Sequence, residues 1–191
     1  MTTARIPAPT TWDNWEANAR TFRVITDTEL DRFANHLLGR RRGIAVDAGC
    51  GNGAFSRQLH RFGFDVTGLD FASVPLAAAR RTPLPNVRYV HHDLNQGDPP
   101  GLPPHGIDVV VCRMVLPFLE QPHAWLRRVR DHWLSDGGRL YLVIPVVDEP
   151  TVQPGGMTEH EIAELTTGWR SVIRYTLRGP LACLVLGTAG P

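Results

Sequence analysis

A glycine-rich stretch with an aspartate two residues ahead of it is the part of this sequence best suited to binding a ligand. Gly49, Gly51 and Gly53 stand at alternate positions behind Asp47. The apolar run before them predicts a buried strand, and residues 55–59 after them predict a helix. Glycines on a strand-to-helix turn remove side chains from one surface and leave backbone N–H groups facing it. The stretch therefore predicts that a ligand lies against bare backbone.

Two ligand classes are compatible with this stretch. Residues 49–54 match the dinucleotide-binding fingerprint Gly-x-Gly-x-x-Ala. The alternate glycines with Asp47 ahead of them also match a second pattern, Asp-x-Gly-x-Gly-x-Gly, which belongs to a different class of cofactor-binding site. The glycines alone therefore do not decide between the two classes. The residues that end the following strands bear on that choice.

Two further aspartates follow the next predicted strands. Asp70 comes directly after the predicted strand 64–69, where a carboxylate can accept both hydroxyls of an adenosine ribose. Phe71, beside it, can lie against the face of an adenine. Asp93 ends a third predicted strand and can accept from the adenine amino group. Together they predict that an adenosine lies over these strand ends.

Histidines close to these aspartates raise the question of a metal ion. His91, His92 and Asp93 are consecutive, but adjacent strand residues point to opposite faces, so no metal site is expected. Four histidines are candidate general bases by residue type alone, and none is assigned a catalytic role: His91, His92, His123 and His160.

Hydrophobic periodicity and capping signals predict the elements that position these residues. Capping boxes at 26–29 and 158–161 are expected to begin two helices, and Ser73 is expected to cap another. Predicted helices cover about 11–22, 27–38, 55–62, 74–80, 122–134 and 158–167, and predicted strands cover 44–46, 64–69, 87–91, 107–112, 139–144, 169–177 and 181–187.

The alternation of strands and helices predicts an α/β fold. Five strands separated by helices favour a parallel sheet with helices on both faces. The last two strands are joined only by residues 178–180, so they must be antiparallel, because a parallel return needs a long crossover. A simple dinucleotide-binding domain lacks such an antiparallel strand.

At this point the chain resembles the class I S-adenosylmethionine-dependent methyltransferase family over roughly residues 11–188. The resemblance is carried by the glycine stretch, Asp70, Asp93, residues 108–119 and Leu134-x-x-Gly137-Gly138. It implies a Rossmann-like, seven-stranded, mostly parallel sheet with the strand order 3-2-1-4-5-7-6, and S-adenosylmethionine as the cofactor.

The resemblance also implies a set of cofactor contacts. The glycines would lie against the methionine portion, Asp47 would orient its ammonium through water, and Asp70 would hold the ribose. Cys112 and Arg113 would border the methionine through their backbone. The implied cofactor-binding residues are Asp47, Gly49, Gly51, Gly53, Asp70, Phe71, Asp93, Leu94, Cys112 and Arg113.

An acceptor pocket is expected under the N-terminal helix. Trp12, Trp15, Met114 and Phe118 would give it an apolar lining, which suits a flat or aromatic small molecule. Cys112 departs from the Asn-Pro-Pro-Tyr type of motif, which disfavours an amino group in nucleic acid as the acceptor. Open alternatives are a member of the same fold that acts on RNA or protein, one that binds the cofactor without methylating, and an NAD-dependent oxidoreductase.

Composition limits the partners. The net charge is +1 and every one of the 20 basic residues is arginine, so no strong field would recruit nucleic acid or an acidic membrane, and no lysine is available for Schiff-base chemistry. The three cysteines form no Cys-x-x-Cys pair, and free buried thiols are expected. With no apolar run of membrane length, we expect a cytoplasmic monomer or homodimer. One domain is expected, with residues 1–42 as a helical cap and 43–191 as the core.

Overall fold

Strands and helices alternate along the residues described by a computed structural model of the chain, which are 9–17, 24–37, 42–149 and 155–190. The helices are α1 (Pro9–Ala17), α2 (Asp27–Leu37), α3 (Ala54–Arg61), α4 (Ser73–Arg80), α5 (Pro122–Arg128) and α6 (Glu159–Glu164). The strands are β1 (Gly43–Ala48), β2 (Phe64–Asp70), β3 (Val87–His91), β4 (Ile107–Arg113), β5 (Leu134–Pro145), β6 (Ser171–Leu177) and β7 (Leu181–Gly187).

The strands form one seven-stranded sheet in the order β3-β2-β1-β4-β5-β7-β6. Neighbours pair in parallel from β1 to β3 and between β4 and β5, whereas β7 runs antiparallel to both β5 and β6. The predicted Rossmann-like order, including the antiparallel strand, is confirmed.

By the density of its internal contacts the described part of the chain divides into two compact units, one within Pro7–Pro100 and the other from Gly101 onward. The first contains β1 to β3 and α1 to α4. Its core includes an aromatic cluster in which the Phe33 ring of α2 lies 5.3 Å from the Phe55 ring and 5.5 Å from the Phe62 ring. Thr26 caps α2 by accepting the Glu29 N–H at 3.2 Å, as the capping box predicts.

The second unit contains β4 to β7. Strands β4 and β7 are buried almost throughout, which explains their nearly unbroken apolar sequences. The Trp125 and Trp133 rings pack edge to face at 5.9 Å. The capping box at α6 is confirmed, because the Thr158 hydroxyl accepts the Glu161 N–H and the Glu161 carboxylate accepts the Thr158 N–H.

The predicted cap of α4 is wrong. Ser73 is the first residue of the helix, and the capping position falls on Ala72, whose side chain cannot accept a hydrogen bond. The acceptor comes instead from α1, where the Asp13 carboxylate receives the Val74 N–H at 2.7 Å. A distant side chain has replaced the local cap.

The predicted helix through Leu134 is also wrong at its end. After α5 the chain makes a wide, π-helical turn over 129–133, and Leu134 already pairs with Ile107 in the ladder between β4 and β5. The register then shifts before Val109 pairs with Arg139. Gly137, at φ 73°, lies inside this irregularity, so it bends a strand rather than ending a helix.

The N-terminal helix is described only in part. The predicted helix 11–22 appears as α1, which begins earlier at Pro9, and residues 18–23 lie outside the described part of the chain. Within the described residues, no helix is both long and apolar enough to cross a membrane.

Candidate functional site

The turn after β1 holds its glycines in conformations that other residues avoid. Gly49, Gly51 and Gly53 have φ values of 75°, 52° and 77°, all in the left-handed region. The N–H groups of Gly49 and Cys50 both donate to the Leu69 carbonyl of β2, at 2.8 and 2.9 Å. The turn is therefore tied to the neighbouring strand.

The glycines of this turn do not all face the same surroundings. A Cβ added at Gly51 would meet no atom within 4 Å, so its backbone borders open space. A Cβ at Gly53 would lie only 2.3 Å from the Tyr89 hydroxyl oxygen. The missing side chain of Gly53 therefore makes room for the ring of Tyr89, and its predicted contact with the cofactor stays a prediction.

Tyr89 is a residue that sequence reasoning missed. Its ring also covers Gly68 of β2, where an added Cβ would lie 2.6 Å from a ring carbon. Burial raises the pKa of the Tyr89 hydroxyl above its ordinary value, so it stays protonated at neutral pH. No local signal in the sequence marked it, because Gly53 and Gly68 lie far from Tyr89 along the chain.

Asp70 joins the turn to the first residues of α4. Its Oδ2 accepts the Gly51 N–H at 2.8 Å and its Oδ1 accepts the Ala72 N–H at 2.9 Å. The residue is only 9% exposed. Burial raises the pKa of the carboxyl, and the backbone N–H groups of Ala72, Gly51 and Phe71 partly offset that rise. An ionised carboxylate has about four acceptor positions, so capacity remains for a ligand.

Asp47 is held by a neighbour that the sequence analysis did not select. The residue is 2% exposed, and its Oδ2 accepts the Ser56 hydroxyl at 2.6 Å, within hydrogen-bond range for an O–H donor. Ser56 is fully buried on α3, where a polar residue on the apolar face was the signal for such a partner.

Cys50, between the two carboxylates, is a neutral thiol. Burial raises its pKa well above the ordinary value, and the negative charges of Asp47 and Asp70 raise it further. It is therefore a packing residue of the turn and not a nucleophile. All three cysteines are free and buried, as predicted.

The parallel pairing of β2 and β3 brings the next predicted residues to the same edge. Asp70 is in register with His91, so Phe71 and Asp93 follow strand ends that lie side by side. The Asp93 Oδ1 accepts the Asn95 N–H at 2.9 Å, which shapes the loop after β3, and Leu94 is buried. Asp70 and Asp93 therefore lie at the same edge of the sheet, where β2 and β3 end.

The histidines beside this edge do not gather into a metal centre. His92 Nε2 lies 3.0 Å from the Gly97 carbonyl oxygen, to which it can only donate. His91 is exposed. Among the residues that the structure describes, no group of three metal-ligating side chains exists.

Of the predicted acceptor residues, two belong to the first unit. Trp12 lies half-buried on α1. Trp15 is also in α1, but its side chain lies outside the described part of the structure. The role of both in binding an acceptor stays a prediction.

The remaining predicted residues lie in the second unit, at and after the end of β4. Cys112 is buried and Arg113 half-buried, and Phe118 ends a short 3-10 turn over 116–118. Met114 has φ 62°, an unusual value for a residue with a side chain, and its N–H donates to the Val143 carbonyl at 2.8 Å. Sequence reasoning selected Met114 without foreseeing this conformation. The ligand contacts of these residues stay predictions.

Comparison with known families places this geometry in context. A family model described as a methyltransferase domain matches residues 46–140. The chain is 29% identical over 144 residues to the mitochondrial ubiquinone biosynthesis O-methyltransferase of Schizosaccharomyces pombe, covering 69% of this chain and 50% of that protein. It is 32% identical over 114 residues to the ubiquinone biosynthesis O-methyltransferase of Serratia proteamaculans, covering 56% of this chain and 46% of that protein. The chain thus spans about half the length of the curated relatives it matches.

Solved structures give the same fold. An S-adenosylmethionine-dependent methyltransferase from Mesorhizobium loti has a TM-score of 0.66 at 18% identity, over 83% of this chain and 99% of that chain. A chain from a complex between the Haloferax volcanii Trm112 methyltransferase activator and a methyltransferase has a TM-score of 0.70 at 18% identity, over 94% of this chain and 98% of that chain. The chain therefore belongs to the class I S-adenosylmethionine-dependent methyltransferases, and S-adenosylmethionine is its cofactor.

Proposed function

We propose that this chain transfers the methyl group of S-adenosylmethionine to an oxygen atom of a small aromatic molecule. The observation that carries the proposal is the turn after β1, where the bare backbone of Gly51 and the carboxylate of Asp70 share a hydrogen bond at 2.8 Å. Both curated relatives described above are named as O-methyltransferases of ubiquinone biosynthesis, which supports a small-molecule acceptor and oxygen as the methylated atom.

The turn suits the methionine half of the cofactor. Open space beside Gly51 accommodates a chain lying against the backbone, and a side chain there would fill it. Gly49 belongs to the same turn and would also lie against the methionine portion. Asp47, with its carboxylate buried and fixed by Ser56, contributes negative charge to the end of β1, which favours the cofactor's ammonium group.

The edge formed by β2 and β3 suits the adenosine half. The carboxylate of Asp70 keeps acceptor capacity for the ribose hydroxyls, because an ionised carboxylate has about four acceptor positions and the Gly51 and Ala72 N–H groups do not occupy them all. Phe71 is half-buried and offers a ring for adenine to stack against. Asp93 and Leu94 would contact the adenine from the end of β3.

For methyl transfer, the main task of the chain is to position the two reactants. Bound S-adenosylmethionine supplies a methyl group that is already electrophilic because its sulfur is a sulfonium. The residues must hold the acceptor oxygen in line with that methyl group and keep water away, and such alignment contributes at most about 7–11 kcal/mol. The acceptor oxygen gains the methyl group, S-adenosylhomocysteine is released, and the phenolic proton passes to water. A phenolic oxygen loses its proton more easily than an alcohol, so we assign no catalytic base to the histidines.

The charge of the chain and the relatives both support a small-molecule acceptor. A net charge of +1 provides no basic field of the kind that attracts nucleic acid. Trp12, half-buried on α1, offers an aromatic surface to a flat acceptor. These features favour a small phenol over RNA.

The test is a methyl-transfer assay with isotope-labelled S-adenosylmethionine. Phenols and catechols, their methyl ethers, transfer RNA and a mixed protein extract are incubated separately with the enzyme, and the labelled products are identified by mass spectrometry. We expect label in the phenols, none in the methyl ethers, and at least tenfold less product with Asp70→Ala at limiting cofactor. Label found only in RNA or protein would overturn the small-molecule assignment, and absence of S-adenosylhomocysteine binding by calorimetry would overturn the proposed site itself.

A further inference from the structure

The first turn of α4 is capped by a residue from another helix. Four N–H groups at the start of any helix lack partners within it, and Ala72 at the capping position has no acceptor to offer. Asp13 of α1 supplies one, because its Oδ1 accepts the Val74 N–H at 2.7 Å. The Ser73 hydroxyl donates to Oδ2 of the same carboxylate at 3.3 Å.

The charge of Asp13 suits this position. The N-terminus of a helix carries a partial positive charge, which favours a carboxylate close to it. Asp13 thereby performs for α4 the task that a serine or aspartate at the capping position would perform locally. The consequence is that α1 is attached to α4 through a charge-assisted contact between two helices of the same unit.

The segment that Asp13 holds is continuous with the proposed cofactor contacts. Asp70 accepts the Ala72 N–H at 2.9 Å, and Asp13 accepts the N–H two residues further on. Two carboxylates, one from β2 and one from α1, therefore fix the same turn of backbone. Asp70 and Phe71, the proposed partners of ribose and adenine, stand at the start of that turn.

We propose that Asp13 is a positioning residue that couples the docking of α1 to the binding of the cofactor. This inference rests on the proposed function, because it assumes that the adenosine contacts Asp70 and Phe71. A cofactor that orders residues 70–74 strengthens the site to which Asp13 is bound, and a docked α1 orders the same residues for the cofactor. By linkage the two effects must be equal in free energy.

The coupling also affects Trp12, the neighbour of Asp13 on α1, which is proposed to meet the acceptor. When Asp13 holds α1 in place, the half-buried Trp12 is held in the unit that binds the cofactor. The helix that is proposed to meet the acceptor is then fixed more firmly when the methyl donor is bound. The contacts of Asp13 with Ser73 and Val74 are made at the start of α4, so in this proposal Asp13 acts through α4.

The experiment compares three single variants. Asp13→Ala removes the cap, Asp13→Asn keeps an acceptor that caps helices about as well, and Asp31→Ala removes an exposed carboxylate from α2 as a matched control. The dissociation constant and the dissociation rate constant of S-adenosylhomocysteine are measured for each variant. Hydrogen exchange of the α1 and α4 amides is followed with and without S-adenosylhomocysteine, and denaturant unfolding confirms that each variant is folded.

We expect S-adenosylhomocysteine to bind about fivefold more weakly to Asp13→Ala, through faster dissociation. Asp13→Asn keeps the acceptor but loses the charge, so it should restore most of the affinity, and Asp31→Ala should bind like the wild type. In the wild type the ligand should slow exchange in α1, and in Asp13→Ala it should slow exchange in α4 alone. Equal affinity of Asp13→Ala and wild type, or failure of Asp13→Asn to restore binding, would overturn the coupling. Absence of binding to the wild type would instead overturn the proposed function on which the coupling rests.

Discussion

The turns that follow β1 and β4 require similar backbone conformations but contain different residues. After β1 the positive φ values of 75°, 52° and 77° fall on glycines. After β4 a φ of 62° falls on Met114, where the left-handed conformation costs about 1–2 kcal/mol. A glycine adopts the left-handed conformation without strain but offers no side chain. Met114 adopts it at a cost in free energy and keeps its side chain.

This difference indicates what each turn is for. Bare backbone suits a ligand that lies against the chain itself, as we propose for the cofactor at Gly51. A strained residue that keeps its side chain suits a position where that side chain is used, and such strain gathers at functional sites. We therefore expect glycine variants after β1 to impair cofactor binding, and variants of Met114 to impair methyl transfer to the acceptor alone.

The largest effect is expected within the first turn itself. Gly53→Ala places a Cβ 2.3 Å from the Tyr89 hydroxyl oxygen at a φ of +77°, so overpacking and left-handed strain together should lower the unfolding free energy by about 2–5 kcal/mol. Urea denaturation measures the loss. Gly97→Ala, where a Cβ meets nothing within 4 Å, is the control. In a double-mutant cycle, Gly53→Ala should cost less in the Tyr89→Ala background than in the wild type, and an equal cost in both would show that Tyr89 is not the obstacle.

Gly51→Ala should act on binding more than on folding. Its added Cβ meets no protein atom within 4 Å, so the stability cost is limited to about 1–2 kcal/mol of left-handed strain. The same Cβ would stand where the methionine portion is proposed to lie, and we expect at least about tenfold weaker binding of S-adenosylhomocysteine, or 1.4 kcal/mol. Isothermal titration calorimetry gives the affinity, and an affinity equal to the wild type would place the cofactor elsewhere.

A pH dependence should report on Asp70. Its pKa is raised by burial above the ordinary value of about 3.9, and only the ionised form accepts fully from ribose and backbone. Affinity for S-adenosylhomocysteine should therefore be constant near neutral pH and fall as the pH is lowered through the raised pKa. Calorimetry at a series of pH values measures this, and Asp70→Asn should lack the inflection.

The stability of the cofactor-free protein should respond to Asp70 with the opposite sign. A carboxyl whose pKa is higher in the folded than in the unfolded state stabilises the fold most below the unfolded pKa, and that contribution is lost as the pH rises through the folded pKa. The difference in unfolding free energy between wild type and Asp70→Asn should follow that course. A difference that is independent of pH would contradict the raised pKa.

The smallest effect is expected at Met114. Met114→Gly relieves left-handed strain but adds freedom to the unfolded chain, so the unfolding free energy should change by no more than about 1 kcal/mol, towards greater stability. Affinity for S-adenosylhomocysteine should be unchanged while turnover of the acceptor falls. Met114→Leu keeps a side chain and should retain turnover. If both variants turn over normally, the side chain is not used and the contrast between the two turns has another origin.

Much of the fold could be predicted because its signals are local. The glycines after β1, the aspartate that ends β2 and the short link between β6 and β7 each lie within a few residues of the structure they determine. The strand order then came from the resemblance and is confirmed. Leu134 misled because an apolar residue at helical spacing reads equally as the end of a helix or the start of a strand.

The features that escaped prediction depend on residues far apart in sequence. Tyr89 fills the space beside Gly53, and Asp13 caps a helix that begins 60 residues later. Nothing in the neighbourhood of Asp13 marks it as a cap for α4, since an exposed acid on a helix is ordinary. Ser56 differs from them, because its partner Asp47 is only nine residues earlier and its polar side chain on an apolar helix face was a usable signal. The division into a cap over residues 1–42 and a core over 43–191 stays a prediction.

The contact between Asp13 and Val74 also sets an order of events during synthesis. Asp13 leaves the ribosome 61 residues before its partner, and chains emerge and fold from the N-terminus. Helix α1 is too short to be stable alone in water, so it can acquire its place only after β2 has formed and α4 has begun. We expect α1 to be among the last elements of its unit to become protected from hydrogen exchange during refolding.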